Sequence, residues 1–167
     1  VFPLVMIGLA FSLMFGDGSS AYLSLKLGEK KKKEAEVGVG NGILISAIVS
    51  VLFCVLTLIF LPQLLKLFGC TENLKEFATT YGTIIAIGFP FSMIGTTLNS
   101  IIRADGSPKY SMISMLVGAV LNTILDPLFI FTFNQGVAGA AIATVISQFV
   151  TFILNVAYIK KFKTIKL

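Results

Sequence analysis

Asn122-Thr-Ile-Leu-Asp126-Pro127 interrupts an apolar segment that runs from about residue 111 to residue 133. At about 1.5 Å per residue, a helix of that length crosses a bilayer. A carboxylate at the centre of such a helix costs roughly 2.5–3.5 kcal/mol, so Asp126 is expected to have a function or a partner. Asn122 and Asp126 are four residues apart and share one helix face. Pro127 has no backbone N–H, which leaves the carbonyl of Thr123 without its helical donor beside the carboxylate. Two side chains and one freed carbonyl thus offer oxygen atoms, at membrane depth, to a small cation or a proton.

The composition agrees with a membrane setting. Of 167 residues, 56% are hydrophobic and 13% charged, and the mean hydropathy is +0.93. That is too little charge to coat a soluble domain of this size. The chain starts Val-Phe-Pro without a methionine or a recognisable signal peptide, so a cut within a longer chain is expected. There is no histidine, which removes His-ligated zinc and the Ser-His and Cys-His hydrolytic sets. Cys54 and Cys70 lack metal or disulfide spacing.

Five apolar segments follow, at about 2–25, 43–62, 78–102, 111–133 and 137–159. The expected fold class is all-α, a polytopic transmembrane helix bundle of five spans. Lys26, Lys30–Lys33, Arg103, Lys109, Lys160, Lys161, Lys163 and Lys166 fall at alternate span ends, hence on one side. Lys66 and Lys75 fall on the other, offset by Glu72 and Glu76. By the positive-inside bias, Lys30–Lys33, Arg103 and the carboxy-terminal tail face the cytoplasm of a plasma (inner) membrane. The net charge of +5 is accounted for by this topology, with the lipid bilayer rather than nucleic acid as partner.

Within the first span, Phe15-Gly-Asp17-Gly18-Ser-Ser20 combines small residues that permit close helix approach with a second deep carboxylate. Asp17 either bonds to a neighbouring helix or takes part in transport. Pro62 is expected to end the second span, with a short interfacial helix over 63–77 capped at Thr71. Pro90 is expected to kink the third span. Thr144, about seven residues into the fifth span, matches the depth of Asp126, about seven residues from the end of the fourth. Thr144 is therefore a candidate second oxygen donor to the same site, or simply bonds back to its own helix.

Three stretches carry a family resemblance. They are Leu27-Gly28-Glu29, Ile102-Arg103-Ala104-Asp105-Gly106 with Lys109, and Leu121-Asn-Thr-Ile-Leu-Asp-Pro-Leu-Phe-Ile-Phe131 followed by Gly136-Val-Ala-Gly-Ala-Ala-Ile-Ala-Thr144. Together they resemble the multidrug and toxic compound extrusion (MATE) transporters over nearly the whole chain, which looks like helices two to six of the amino-terminal half. The resemblance implies two six-helix bundles around a central cavity, with residues 1–167 supplying most of one. It implies antiport: export of amphipathic or cationic organic compounds coupled to Na⁺ or H⁺ entry, with no other cofactor. It assigns the coupling cation to a cluster matched here by Asn122, Asp126 and Thr144, with Asn99 from the preceding span. The family also uses an Asp on its first helix, which has no counterpart here, so that helix and the carboxy-terminal half are expected partners.

Two other readings compete. A flippase-like relative moving a lipid-linked saccharide is expected to line its cavity with more charge than Asp17 and Asp126 provide. A non-transporting assembly protein would use Asp126 only to pair helices. No nucleophile–base or metal set suggests an enzyme.

Overall fold

Every backbone amide inside a bilayer must find its partner within the protein, and the helix achieves this one segment at a time. A computed structural model describes residues 1–132 and 135–165, apart from the side chain of Glu72. The expected span end at Phe133, the loop beginning at Asn134, and Lys166 lie outside the described residues. The chain forms α1 (Phe2–Gly28), α2 (Lys32–Leu67), α3 (Glu72–Ala104), α4 (Pro108–Pro127), a π-helical turn (Leu128–Thr132) and α5 (Gly136–Ile159). All five α-helices are long and apolar enough to cross a membrane, α4 together with its π turn. The protein is an all-α integral membrane bundle.

Helix α3 lies between an α1–α2 pair and an α4–α5 pair, and it packs on all four. Small residues allow this closeness. A Cβ on Gly16 of α1 would stand 3.1 Å from the Cα of Thr97, and one on Gly88 of α3 would stand 2.7 Å from Val145 of α5. Between α1 and α2, a Cβ on Gly42 would meet the Ser19 hydroxyl at 2.0 Å. A side chain at Gly42 or Gly88 requires Ser19 or Val145 to move, and one at Gly16 presses on the α3 backbone itself. Gly18, expected as a packing position, is exposed and has nothing within 4 Å of its Cβ position. The close contact belongs to Gly16, two residues earlier and on a different face.

Three expectations about the second and third spans need correction. Pro62 does not end α2, which continues to Leu67. Leu61 and Leu65 are buried in one apolar cluster with Leu4, Ile85, Phe89 and Met93, and that packing holds the helix together across the missing N–H. There is consequently no separate helix over 63–77; a left-handed Gly69 (φ 76°) turns the chain directly into α3. Thr71 occupies the N-cap position, but its side chain makes no capping hydrogen bond. At its other end α2 begins eleven residues earlier than its apolar run. Its first turn carries Glu34, paired with Lys26 of α1 at 3.0 Å. Lys26 also bonds Glu29 at 2.9 Å, and this holds the Glu29 carboxyl below its ordinary range. Helix α3 runs through Pro90 without a break.

Polar groups stitch the bundle where apolar packing is thin. Thr97, fully buried on α3, shares a 2.8 Å hydrogen bond with Ser46 of α2, and its hydroxyl approaches the Ser12 carbonyl of α1 at 3.2 Å. Interhelical hydrogen bonds in membranes contribute about 0.6 kcal/mol on average and up to about 1.7 kcal/mol. Thr97→Val keeps the shape, removes both bonds and leaves Ser46 unpaired. It is expected to cost about 1–2 kcal/mol, read as a lowered thermal-unfolding midpoint of the full-length protein in detergent, whereas Thr123→Val on the exposed face of α4 leaves the midpoint unchanged.

Candidate functional site

The helical register of α4 sets Asn122 one turn before Asp126, and the structure joins them: Asn122 Nδ2 donates to Asp126 Oδ1 at 3.2 Å. The same amide nitrogen donates to Thr144 Oγ1 of α5 at 3.4 Å. Thr144 in turn donates its hydroxyl proton to its own helix, at Ala140 O and 2.9 Å. Thr144 thus bonds back to its own helix and also stands beside Asn122. The donors of Asn122 and Thr144 are thus engaged, while Asn122 Oδ1, the second Asp126 oxygen and a Thr144 lone pair remain as acceptors. The bond to Asp126 is at the upper end of the N–H···O range and the contact to Thr144 is longer than it, so the α4–α5 link of the cluster is loose.

Close approach of α4 and α5 creates this juxtaposition. A Cβ on Gly139 would stand 2.8 Å from the carbonyl oxygen of Phe129, which fixes the start of α5 against the π turn. That turn follows Pro127 directly. A proline that removes one helical donor, then a π turn with its i→i+5 bonding, interrupts the regular α-helical backbone beside Asp126, and such π turns are frequent at functional sites. Pro127 itself is exposed.

Asn122 and Thr144 stand on the wall of a cavity of about 290 Å³ between α3, α4 and α5, with Asn99, Gln148, Thr151 and Asn155 as further polar residues and Phe91 and Met115 as apolar ones. Asp126 is half-buried and lies outside this wall. Asn99 shares the cavity but does not join the cluster. Its amide nitrogen bonds Ser111 O at 3.2 Å and approaches Ser114 Oγ at 3.4 Å, and its carbonyl accepts from the Ser111 hydroxyl at 2.7 Å. Those partners lie eight or more residues before Asn122 on α4, about 12 Å or more away along the axis. Asn99 and Asp126 thus occupy different levels of the bundle.

The oxygen atoms left free are one carboxylate, one amide and one hydroxyl, all hard donors that suit Na⁺ or a proton rather than a soft metal. A hard cation takes about six oxygen ligands, so three leave room for carbonyls, water or residues beyond this chain. Among the described residues, no group of three or more His, Cys, Asp and Glu side chains forms a metal site.

The other deep carboxylate has a partner. Asp17 Oδ1 accepts from the Ser100 hydroxyl of α3 at 2.9 Å, and Arg103 Nη2 reaches the same oxygen at 4.0 Å. Pro90 lies outside the cavity wall, although Phe91 and Ser92 beside it belong to it.

One buried group was missed in the sequence. Asp105, 1% exposed, follows α3 and holds the segment that leaves α5. It accepts from the Tyr158 hydroxyl at 2.9 Å, from the backbone N–H of Lys163 at 2.8 Å, from that of Thr164 at 2.9 Å, and from the Thr164 hydroxyl. The signal available was an acidic residue between the breakers at the end of Ile102-Arg-Ala-Asp105-Gly106.

Comparison with known proteins gives this polar-centred membrane bundle its family. The family model MatE matches residues 1–128. The chain belongs to the MATE family. It is 30% identical over 166 residues to the probable multidrug resistance protein YoeA of Bacillus subtilis, covering 97% of this chain and 36% of that protein. It is 31% identical over 163 residues to the multidrug export protein MepA of Staphylococcus aureus, covering 95% and 35%. The chain thus spans about a third of the length of these relatives. Among solved structures, it matches an outward-facing multidrug resistance MATE transporter with a TM-score of 0.93 at 27% identity, covering 99% of this chain and 37% of that one. It matches an inward-facing one at 0.88 and 28% identity, covering 93% and 36%.

Asp105→Ala strands four donors that share one carboxylate. Hydrogen bonds to a charged group contribute about 1.5–3 kcal/mol each, non-additively, so a loss of about 3 kcal/mol is expected. In the full-length protein this is measured as a lower unfolding midpoint together with faster proteolysis after Lys160, Lys161 and Lys163.

Proposed function

We propose that the chain forms most of one bundle of a secondary transporter that exports amphipathic or cationic organic compounds, with Na⁺ or H⁺ entry as the driving force. The observation that carries this reading is the convergence of Asn122, Asp126 and Thr144 from two helices at one depth, next to a cavity. Binding a cation or a proton neutralises Asp126 and draws the free oxygens of Asn122 and Thr144 inward, tightening a loosely joined cluster. A ligand shifts a conformational equilibrium only by its different affinity for the two states, and a cluster that is loose in one state and tight in the other provides that difference.

The bundle resembles relatives caught facing inward and facing outward, with TM-scores of 0.88 and 0.93. That supports rocking of one bundle against another around a fixed site, the usual mode of secondary transporters. The lysine-rich end, with Lys30–Lys33, Arg103 and the tail, is assigned to the cytoplasm by its charge. The first helix of the bundle and the second bundle complete the site and the cavity.

In the full-length protein reconstituted in vesicles, Asp126→Asn keeps the hydrogen bond to Asn122 but removes the charge. Ion-driven efflux is expected to fall at least about tenfold, equivalent to about 1.4 kcal/mol of coupling, with the amount of folded protein unchanged. Efflux at the wild-type rate, with the same ion dependence, would rule out Asp126 as the coupling site.

A further inference from the structure

Two segments that are far apart in sequence meet at the lysine-rich end of the bundle. The chain leaving α5 is held to the end of α3 by Asp105, which accepts from the backbone N–H groups of Lys163 and Thr164. Ile165, 1% exposed, then joins a buried apolar cluster with Leu23 of α1, Ala35 and Val39 of α2 and Ile101 of α3, and Phe162 packs against that cluster. The tail therefore crosses the end of the bundle from α5 to the first turns of α2, where Lys32 and Lys33 stand. Lys160, Lys161 and Lys163 are fixed in this way on the same end as Lys30, Lys32 and Lys33, and all six are exposed.

Their level is set by the spans they follow. Lys30 comes two residues after the last residue of α1, and Lys160 and Lys161 come directly after the last residue of α5. The lipid headgroup layer begins where such spans leave the hydrocarbon. Little acid offsets the charge there. Glu29 and Glu34 are paired with Lys26 and Lys31, Asp105 is taken up by the tail, and Glu36 is the one other acid between residues 26 and 42. Among the described residues, none of the six lysines has an ion pair. Membrane orientation requires only that lysines lie on this side. It does not require the tail to be pinned against the loop by a buried carboxylate and a buried isoleucine. Basic clusters of this size beside a span attract anionic headgroups. We infer that Lys30, Lys32 and Lys33 of the first loop and Lys160, Lys161 and Lys163 of the tail form one composite surface that binds the headgroups of anionic phospholipids. This goes beyond the transport reading and is independent of whether Asp126 binds the coupling ion.

The test reads lipid identity at that end in the full-length protein, with its native cysteines, Cys54 and Cys70 included, replaced. Val37 is 63% exposed and lies one turn from Lys33 on α2, so Val37→Cys carries a fluorophore. Leu67→Cys, exposed at the opposite end of the same helix, is the reference. Each protein is reconstituted in phosphatidylcholine vesicles doped with phosphatidylglycerol or with phosphatidylcholine, either one bearing a nitroxide on the acyl carbon nearest the headgroup. At position 37, phosphatidylglycerol is expected to quench several-fold more than phosphatidylcholine, and at position 67 the two are expected to quench equally. The excess at position 37 is expected to vanish near 1 M salt, where the screening length falls to about 3 Å. It is also expected to shrink several-fold when Lys30, Lys32 and Lys33 are changed together to Gln, and again when Lys160, Lys161 and Lys163 are. Equal quenching by the two lipids at position 37, or the same excess at both positions, overturns the inference without any lysine being replaced. An excess untouched by the tail substitutions overturns the composite surface. Loss of the excess in inorganic phosphate, but not in chloride of equal ionic strength, makes free phosphate the ligand and overturns the lipid assignment.

Discussion

The bundle depends on how closely α1, α2, α4 and α5 approach α3. Lipid tails are as apolar as leucine, so burying leucine between helices yields little in a membrane, and association relies on tight contact and polar bonds. The Thr97 hydroxyl shows this directly. It is fully buried and within hydrogen-bonding distance of both Ser46 on α2 and the Ser12 backbone on α1, and Gly16 leaves room for the Thr97 backbone to come this close. On the other side of α3, Asn155 of α5 donates to the Gly95 carbonyl at 2.9 Å. Both halves of the fold lean on one helix through residues with little or no side chain.

The same closeness makes the site. Gly139 against the Phe129 backbone sets α5 beside the π turn, which brings Thr144 to Asn122 and, through it, to Asp126. The carboxylate is held by an amide rather than by a cation, since among the described residues the ion pairs at Asp17 and Glu29 involve other elements. A carboxylate with neutral partners keeps its charge uncompensated within the bundle and is free to take up a cation. Asp126 has Asn122 as its partner, whereas Asp17 accepts from Ser100 and has Arg103 at 4.0 Å.

Much of this was legible in the sequence because the signals are periodic or costly. Five apolar runs with lysines at alternate ends specify the bundle, and the four-residue spacing of Asn122 and Asp126 specifies a shared face. Depth counted along helices also placed Thr144 beside them. What escaped notice depends on packing partners far away in the chain. Pro62 reads as a stop, yet Leu61 and Leu65 are clamped by residues from α1 and α3, and the helix continues. Gly16 and Gly18 are indistinguishable by composition, and only the rotation of α1 decides which of them meets α3. Asp105 reads as a turn residue until the segment after α5 folds back onto it, nearly sixty residues later.

The central claim is that the Asn122–Asp126–Thr144 cluster holds the coupling cation. Its most direct test is equilibrium binding in the full-length protein, with radioactive sodium uptake and proton release or uptake followed in parallel for the wild type and for Asp126→Asn. The account predicts that one of these two ions exchanges with the wild type in near-stoichiometric amount and that the exchange is lost in Asp126→Asn. Sodium and proton binding that are the same in both proteins would contradict it.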